Sequence, residues 1–216
     1  MKNKLVVHVV DDDEAVLLSV KALLGQHGYE VLCYPLASDF LAEADLRGPG
    51  CVVTDVQMPG INGIQLQQQL IDLNSPFAVV VVTGVADVPM AVKMMARGAI
   101  TLLEKPYSPI GLLHAVESGI SASKAKWDQA QQKHSVQARV ARLSGEEYRV
   151  MQYMLTDKPN KAIAQGMDLS MRTVDRRRRS VLNKMEVKSV PELAAILAAS
   201  ENLGGKTNVR PQFAGP

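Results

Sequence analysis

The chain has 216 residues, 47% apolar and 21% charged, which is long for one ordinary domain and rich enough in apolar side chains for two real cores. Its net charge of +2 hides a division: residues 1–120 carry seven Lys and Arg against thirteen Asp and Glu, a net of −6, and residues 121–216 carry seventeen against nine, a net of +8, so the second half is expected to meet a polyanion. With no signal peptide, and with Phe77 to Val82 as the longest apolar run, a membrane span is excluded and a soluble, cytoplasmic protein without a membrane partner is expected.

Leu5-Val6-Val7-His8-Val9-Val10 is a continuous apolar run, the pattern of a strand buried on both faces. Val16, Val20, Leu23 and Leu24 follow at helical spacing, and Gly28 closes that helix. The alternation repeats: a strand Tyr29–Cys33 and a helix from Ser38, a strand Cys51–Thr54 and a helix Ile64–Leu73, then a strand Phe77–Val82. Asp87 and Ser108 open the last two helices, with Pro89 and Pro109 in first turns where a missing N–H costs nothing, and the fifth strand is Ala99–Leu103. Five strands alternating with five helices predict an α/β, doubly wound parallel sheet over residues 1–120, with its site beyond the carboxyl ends of the strands. Cys33 and Cys51 fall in strand-like runs without metal spacing and are read as small buried hydrophobes rather than a disulfide.

Residues 121–142 are polar, rich in helix formers and without a strong apolar stripe; they read as a linker, helical in continuation of residues 110 onward. Residues 143–200 predict an all-α domain. Ser144 and Glu147 form a capping-box pattern, Asn160 can cap a short helix, Ser170 opens a helix Met171–Met185, and Ser189 with Glu192 makes a second box before Leu193. The tail 201–216, with Gly204-Gly205 and Pro211, is expected to be disordered.

Four features fall at strand ends: Asp11-Asp12 after the first, Asp55 on the third, Thr83-Gly84 on the fourth and Lys105-Pro106 on the fifth. Converging carboxylates repel one another, and a divalent cation such as Mg2+ relieves this with hard oxygen ligands. A carboxylate can then act as nucleophile toward a phosphoryl group while a lysine and a hydroxyl hold its oxygens. Taken singly, Asp-Asp is commonly a helix cap, Thr-Gly a turn and Lys-Pro a solvated loop. Jointly, each at its own strand end, they are specific.

The strings Val9-Val10-Asp11-Asp12-Asp13, Thr54-Asp55-Val56-Gln57-Met58-Pro59-Gly60, Val82-Thr83-Gly84 and Glu104-Lys105-Pro106 resemble the flavodoxin-like receiver domain of two-component response regulators, over residues 4–120. Asp87-Val88-Pro89-Met90-Ala91-Val92 resembles the FixJ branch in particular. The resemblance implies that Asp55 is the phosphoacceptor for a cognate histidine kinase, and that Asp11, Asp12 and Asp55 bind Mg2+ with the backbone carbonyl of Gln57 as a further ligand. It implies Thr83 as the switch hydroxyl, Lys105 as the phosphate-contacting amine, a cis bond before Pro106, and a homodimer on phosphorylation through helix 87–97 and strand 99–103. Where receivers place Tyr or Phe as the switch aromatic, this chain has Leu102.

In the basic half, Leu143-Ser144, Glu147, Val150-Met151, Asn160-Lys161, Ile163-Ala164, Leu169-Ser170, Thr173-Val174 and Lys184-Met185 resemble the LuxR-type helix-turn-helix of FixJ and NarL regulators, with Asp157 and Asp168 where glycine is usual. At about 100° per residue, Val174, Arg178, Val181 and Met185 share the packed face, while Arg172, Arg176, Arg179, Ser180 and Asn183 point away, toward a major groove. Double-stranded DNA is thus the expected partner, contacted by Arg172, Thr173, Asp175, Arg176, Arg177, Arg179, Asn183 and Lys161. Arg176 and Arg179 are set on base edges, and Arg177 and Arg172 on phosphates. Arg178 needs an acidic partner, for which Glu146 is the candidate. The apolar helix Leu193 to Ala199 either covers the other three or also serves dimer contacts.

Two other classes compete with a phosphorylation-controlled transcription regulator, which is not itself an enzyme. An Asp-nucleophile phosphatase would use Asp11 and Asp13, but the Gly-Thr usual after that motif is Glu14-Ala15, and no cap domain is visible. A DNA-binding protein whose receiver serves only to dimerise is kept in play by Leu102. The run Arg176-Arg177-Arg178-Arg179 also has a plain reading as a solvated basic helix or localisation patch.

Overall fold

The computed structural model describes residues 6–84, 93–156 and 158–202. The chain divides into two compact units, Met1–Asp128 and Gln129–Pro216. Leu5, the Asp87 and Pro89 helix start, Asp157 and the tail from residue 203 lie outside the described residues.

The first unit is built on β1 (Val6–Val10), β2 (Glu30–Tyr34), β3 (Cys51–Asp55), β4 (Ala78–Thr83) and β5 (Thr101–Glu104). All pair in parallel, in the order β2-β1-β3-β4-β5. Side chains alternate between the two faces, as a pleated strand requires. Val52, Val79 and Val81 enter one core with Phe40, Leu66, Leu70 and Met94; Cys51, Val53, Val80 and Val82 enter the other with Leu17, Val20, Leu24, Leu112 and Val116. Helices α2 (Ala37–Glu43), α3 (Gly63–Asp72) and helical residues 93–96 therefore cover the first face. Helices α1 (Glu14–Gln26) and the start of α4 (Pro109–Ala141) cover the second.

Local chemistry explains the ends of these helices. Asp13 caps α1 by accepting from the Ala15 N–H, and after His27 the chain leaves the helix through Gly28 at φ +86°. Asn62 and Gln65 form a capping box on α3. The Gly111 N–H donates to Ser108 Oγ ahead of the first full turn of α4.

Residues 121–142, expected as a helical linker, lie almost wholly within the 33-residue α4. Both of its ends are packed. Ser123 Oγ is buried and accepts from the Gly50 N–H at 2.9 Å, while Val136 and Val140, one turn apart, enter the core of the second unit.

The second unit gathers α5 (Gly145–Leu155), α6 (Asn160–Met167), α7 (Met171–Lys184) and α8 (Val190–Asn202) around Val150, Met154, Ile163, Val174, Val181, Met185 and Leu193. Ser144 and Glu147 form the expected capping box on α5, and Ser170 caps α7. Asn160 does not cap α6. Pro159 holds that position, where its ring offers no acceptor for a cap bond, and Asn160, as the first helical residue, donates its amide Nδ2 to Asp175 at 2.7 Å. The second capping box is half formed: Ser189 Oγ accepts from the Glu192 N–H, but the Glu192 carboxylate takes the Lys188 N–H instead. Asp168 ends α6 at φ 53°, ψ 49°, supplying the left-handed residue that a helix C-terminus wants.

Candidate functional site

Strand order reverses between β1 and β3, and a doubly wound sheet opens a crevice beyond the carboxyl ends of such strands. Asp11 follows β1 with its N–H on the Tyr34 carbonyl, and Asp55 ends β3. The Lys105 N–H continues the β4–β5 ladder onto the Thr83 carbonyl at 2.8 Å, which carries the lysine to the same edge. The carboxylates of Asp11, Asp12 and Asp55 lie within 4.8 Å of one another; Asp11 is buried, Asp55 half-buried and Asp12 exposed. Lys105 Nζ reaches Asp11 Oδ2 at 2.8 Å and Asp55 Oδ2 at 3.5 Å. Burial works against the charge on Lys105, but the hydrogen bond to Asp11 and the charges of Asp11 and Asp55 outweigh it and hold the ammonium above its ordinary pKa.

The backbone around Asp55 is tied down. The Val56 N–H donates to Asp55 Oδ1 at 2.7 Å, and Thr54 Oγ1 donates to the Asp55 carbonyl at 3.0 Å. A Cβ on Gly63 would sit 2.3 Å from that carbonyl, so only glycine lets α3 start this close to β3. Gln57, two residues past Asp55, is exposed, Thr83 is buried at the end of β4, and the Lys105–Pro106 bond is cis. Leu102 is half-buried on β5 and packs against the core that contains Met94 and Ala99. Three hard carboxylates at this spacing are the donor set typical of a Mg2+ site.

In the second unit, α7 lies on α5 and α6. Its exposed side lines a concave surface of about 830 Å3 with Arg172, Thr173, Asp175, Arg176, Arg179 and Asn183. One flank is fastened to the first turn of α5. Arg177 pairs with Glu146, and Glu147 accepts from Ser180 Oγ and Lys184 Nζ, both at 2.6 Å, and from the Ser144 N–H at 2.7 Å. Burial raises the Glu147 pKa, but these donors prevail and pull it down to about 2. At the far end, Arg139 holds the Met185 carbonyl at 3.1 Å, and Arg139 and Arg142 both pair with Glu186.

Residues 7–117 match the response regulator receiver domain, and residues 141–197 match the bacterial regulatory proteins of the luxR family. The chain is 39% identical to the transcriptional regulatory protein FixJ of Azorhizobium caulinodans, over 92% of its own length and 95% of the relative's. The chain belongs to the FixJ-type response regulators. Among solved structures, this regulator is similar to the response regulator StyR, with a TM-score of 0.83 at 33% identity over 90% of this chain and 98% of that one. It is also similar to full-length FixJ from B. japonicum, with a TM-score of 0.56 at 36% identity over 93% and 99%. It is thus a two-component response regulator with a LuxR-type DNA-binding domain. Among its described residues no helix is long and apolar enough to cross a membrane.

The regulator brings Asp11, Asp12, Asp55 and Lys105 together as the strand-end reading expects. Arg172, Asp175, Arg176, Arg179 and Asn183 share the open face of α7, and Lys161 is exposed on α6. Two assignments on α7 change. Glu146 takes Arg177, not Arg178, and Ser180 turns to Glu147 as well as lining the open face. The reason is rotational: at about 100° per residue, positions 177, 180 and 184 form one stripe beside the buried Val174–Val181 line, and that stripe meets the acidic turn of α5. The Arg177 guanidinium assigned to a phosphate is therefore engaged inside the unit, with its side chain 17% exposed. In the sequence Glu147 shows only as half of a capping box. The i, i+3, i+7 spacing of Arg177, Ser180 and Lys184 opposite Glu146-Glu147 is the signal that would have found this link.

Proposed function

We propose that phosphoryl transfer from a histidine kinase to Asp55 sets the affinity of the second unit for specific DNA sites. The observation that carries this is the cluster of Asp11, Asp12 and Asp55 within 4.8 Å, closed on one side by Lys105. With Oδ1 fixed by the Val56 N–H, Asp55 presents Oδ2 to an incoming phosphorus atom. The carboxylate oxygen forms the new O–P bond, the N–P bond of the kinase phosphohistidine breaks, and the imidazole leaves with the electron pair. Lys105 supplies a fixed point charge to the transferred oxygens, and Thr83 donates its hydroxyl to one of them. Mg2+, held by Asp11, Asp12, Asp55 and the Gln57 carbonyl, would neutralise the charge that brings the phosphoryl group and these carboxylates together.

On the DNA side, Arg176 and Arg179 address base edges, while Arg172, Thr173 and Asn183 on the same surface, with the exposed Lys161 of α6, meet the phosphate walls. Phosphorylation is proposed to favour pairing with a second copy through helical residues 93–96 and β5, in the cytoplasm where kinase and DNA meet. A second reading, in which the receiver only dimerises, is favoured by one observation: the half-buried β5 position where receivers place an aromatic ring holds Leu102, packed against the core of Met94 and Ala99.

The test is labelling with acetyl phosphate and Mg2+, read by intact mass. Wild type should gain one phosphoryl group, and neither Asp55→Asn nor the metal-free protein should gain any. Equal labelling of Asp55→Asn would overturn the site.

A further inference from the structure

We infer that Asp175 is a base-reading residue of the recognition helix, selecting a cytosine in the operator, and that Asn160 is the positioning residue that aims it. The inference rests on the DNA-binding reading of α7 and says what one part of that surface recognises. An aspartate on a polyanion-binding face is out of place electrostatically, because every phosphate it approaches repels it. Asp175 is nevertheless exposed on the same concave surface as Arg172, Arg176 and Arg179. It is the fifth residue of α7, in the N-terminal half that a helix-turn-helix directs at base edges.

Its neighbours ought to neutralise it. Arg172 lies three residues before it and Arg179 four after, the spacings at which opposite charges pair along a helix. Among the described residues it pairs with neither. Its Oδ1 accepts instead from Asn160 Nδ2 at 2.7 Å, across to the first residue of α6. This contact does two things. It leaves both guanidinium groups uncommitted, and it holds the carboxylate by Oδ1, with no protein hydrogen bond to Oδ2 among the described residues. A fixed carboxylate oxygen accepts hydrogen bonds only, and in the major groove it complements the cytosine N4 amine while rejecting the acceptor edges of guanine and the O4 of thymine. Arg176 and Arg179 complement guanine, so the expected half-site joins a cytosine to one or two guanines on neighbouring base pairs.

The experiment is selection of binding sites from a randomised duplex library by the full-length chain, treated with acetyl phosphate and Mg2+, for wild type, Asp175→Asn, Asp175→Ala, Asn160→Ala and Arg176→Ala. Wild type should enrich a site with one cytosine preferred by roughly tenfold. Asp175→Asn, which keeps a carbonyl oxygen to accept from Asn160 but puts an N–H donor where a carboxylate oxygen accepted, should move that position away from cytosine toward bases with acceptor edges. Asp175→Ala should flatten it to within about twofold, with the guanine positions kept. Asn160→Ala should weaken the cytosine preference while the guanines persist, which a merely structural clasp would not do. If both Asp175 variants select the wild-type site unchanged at every position, the inference is overturned. If wild type enriches no sequence, or Arg176→Ala leaves every position as it was, the DNA reading of this face falls instead, and the inference with it.

Discussion

Gly63 and His8 show how much single residues contribute to the first unit. Alanine at 63 would place a methyl carbon 2.3 Å from the Asp55 carbonyl, and backbone cannot yield as a flexible side chain does. Gly63→Ala is expected to cost about 1–3 kcal/mol, as overpacking does, and to slow phosphorylation by displacing Asp55; urea unfolding and labelling rate check both. His8 is enclosed by Tyr34, Phe40 and Phe77, with ring centroids 5.2–5.7 Å away, and its Nδ1 meets the Tyr34 hydroxyl at 3.2 Å. Burial lowers its pKa from 6.5 to about 4. The unfolded chain thus takes up a proton near pH 6.5 that the folded chain refuses until pH 4. Stability is full above the first value and declines between the two, by about 3 kcal/mol in all. His8→Phe should lose that part of the pH dependence, measured by urea unfolding from pH 4 to 7; an unchanged slope would refute it. Neither residue was legible as special in the sequence. His8 reads as one member of an apolar run, and Gly63 falls just before the helix read as Ile64–Leu73, because both roles depend on what approaches from other elements.

At the scale of elements, the strands and the acidic edge were legible and the joints between helices were not. Runs such as Cys51-Val52-Val53 declare a strand buried on both faces, and Asp11-Asp12, Asp55 and Lys105 at the ends of the first, third and fifth strands mark the site edge. Ends shift by a residue where the ladder continues past the apolar run: Glu104 is polar yet pairs with Thr83. The reading of 121–142 as a linker followed from its polarity, yet Val136 and Val140 suffice to seat its last turns. Arg177 and Arg178 differ by only about 100° of rotation, so the choice between them depended on where α5 lies. The Glu147 link leads to a prediction for α7. Glu147→Gln should destabilise the second unit by about 2 kcal/mol, the scale of hydrogen bonds to a charged group, and weaken DNA binding as the helix loosens. The carboxylate contribution should be present above the ordinary pKa of 4.5 and vanish as pH falls to about 2. Thermal unfolding of wild type and variant at neutral pH tests this, and equal midpoints would contradict it.

For the whole molecule, an acidic half of net −6 and a basic half of net +8 map onto the receiver and the DNA-binding domain. The charge division, the strand-end motif and the arginine run each pointed to one half. Their coupling is what no sequence pattern expresses, since it is a difference in free energy between two states rather than a property of one. On the reading proposed above, phosphorylation at Asp55 sets DNA affinity. The most direct test is the dissociation constant for a selected operator duplex, measured at fixed salt with and without acetyl phosphate, for wild type and Asp55→Asn. Wild type should bind more tightly with phosphodonor by about 5–150-fold, the range of ordinary coupling energies, and Asp55→Asn should not respond. Equal wild-type affinity in both conditions, or the same tightening in Asp55→Asn, would contradict the account and leave the receiver as a dimerisation module.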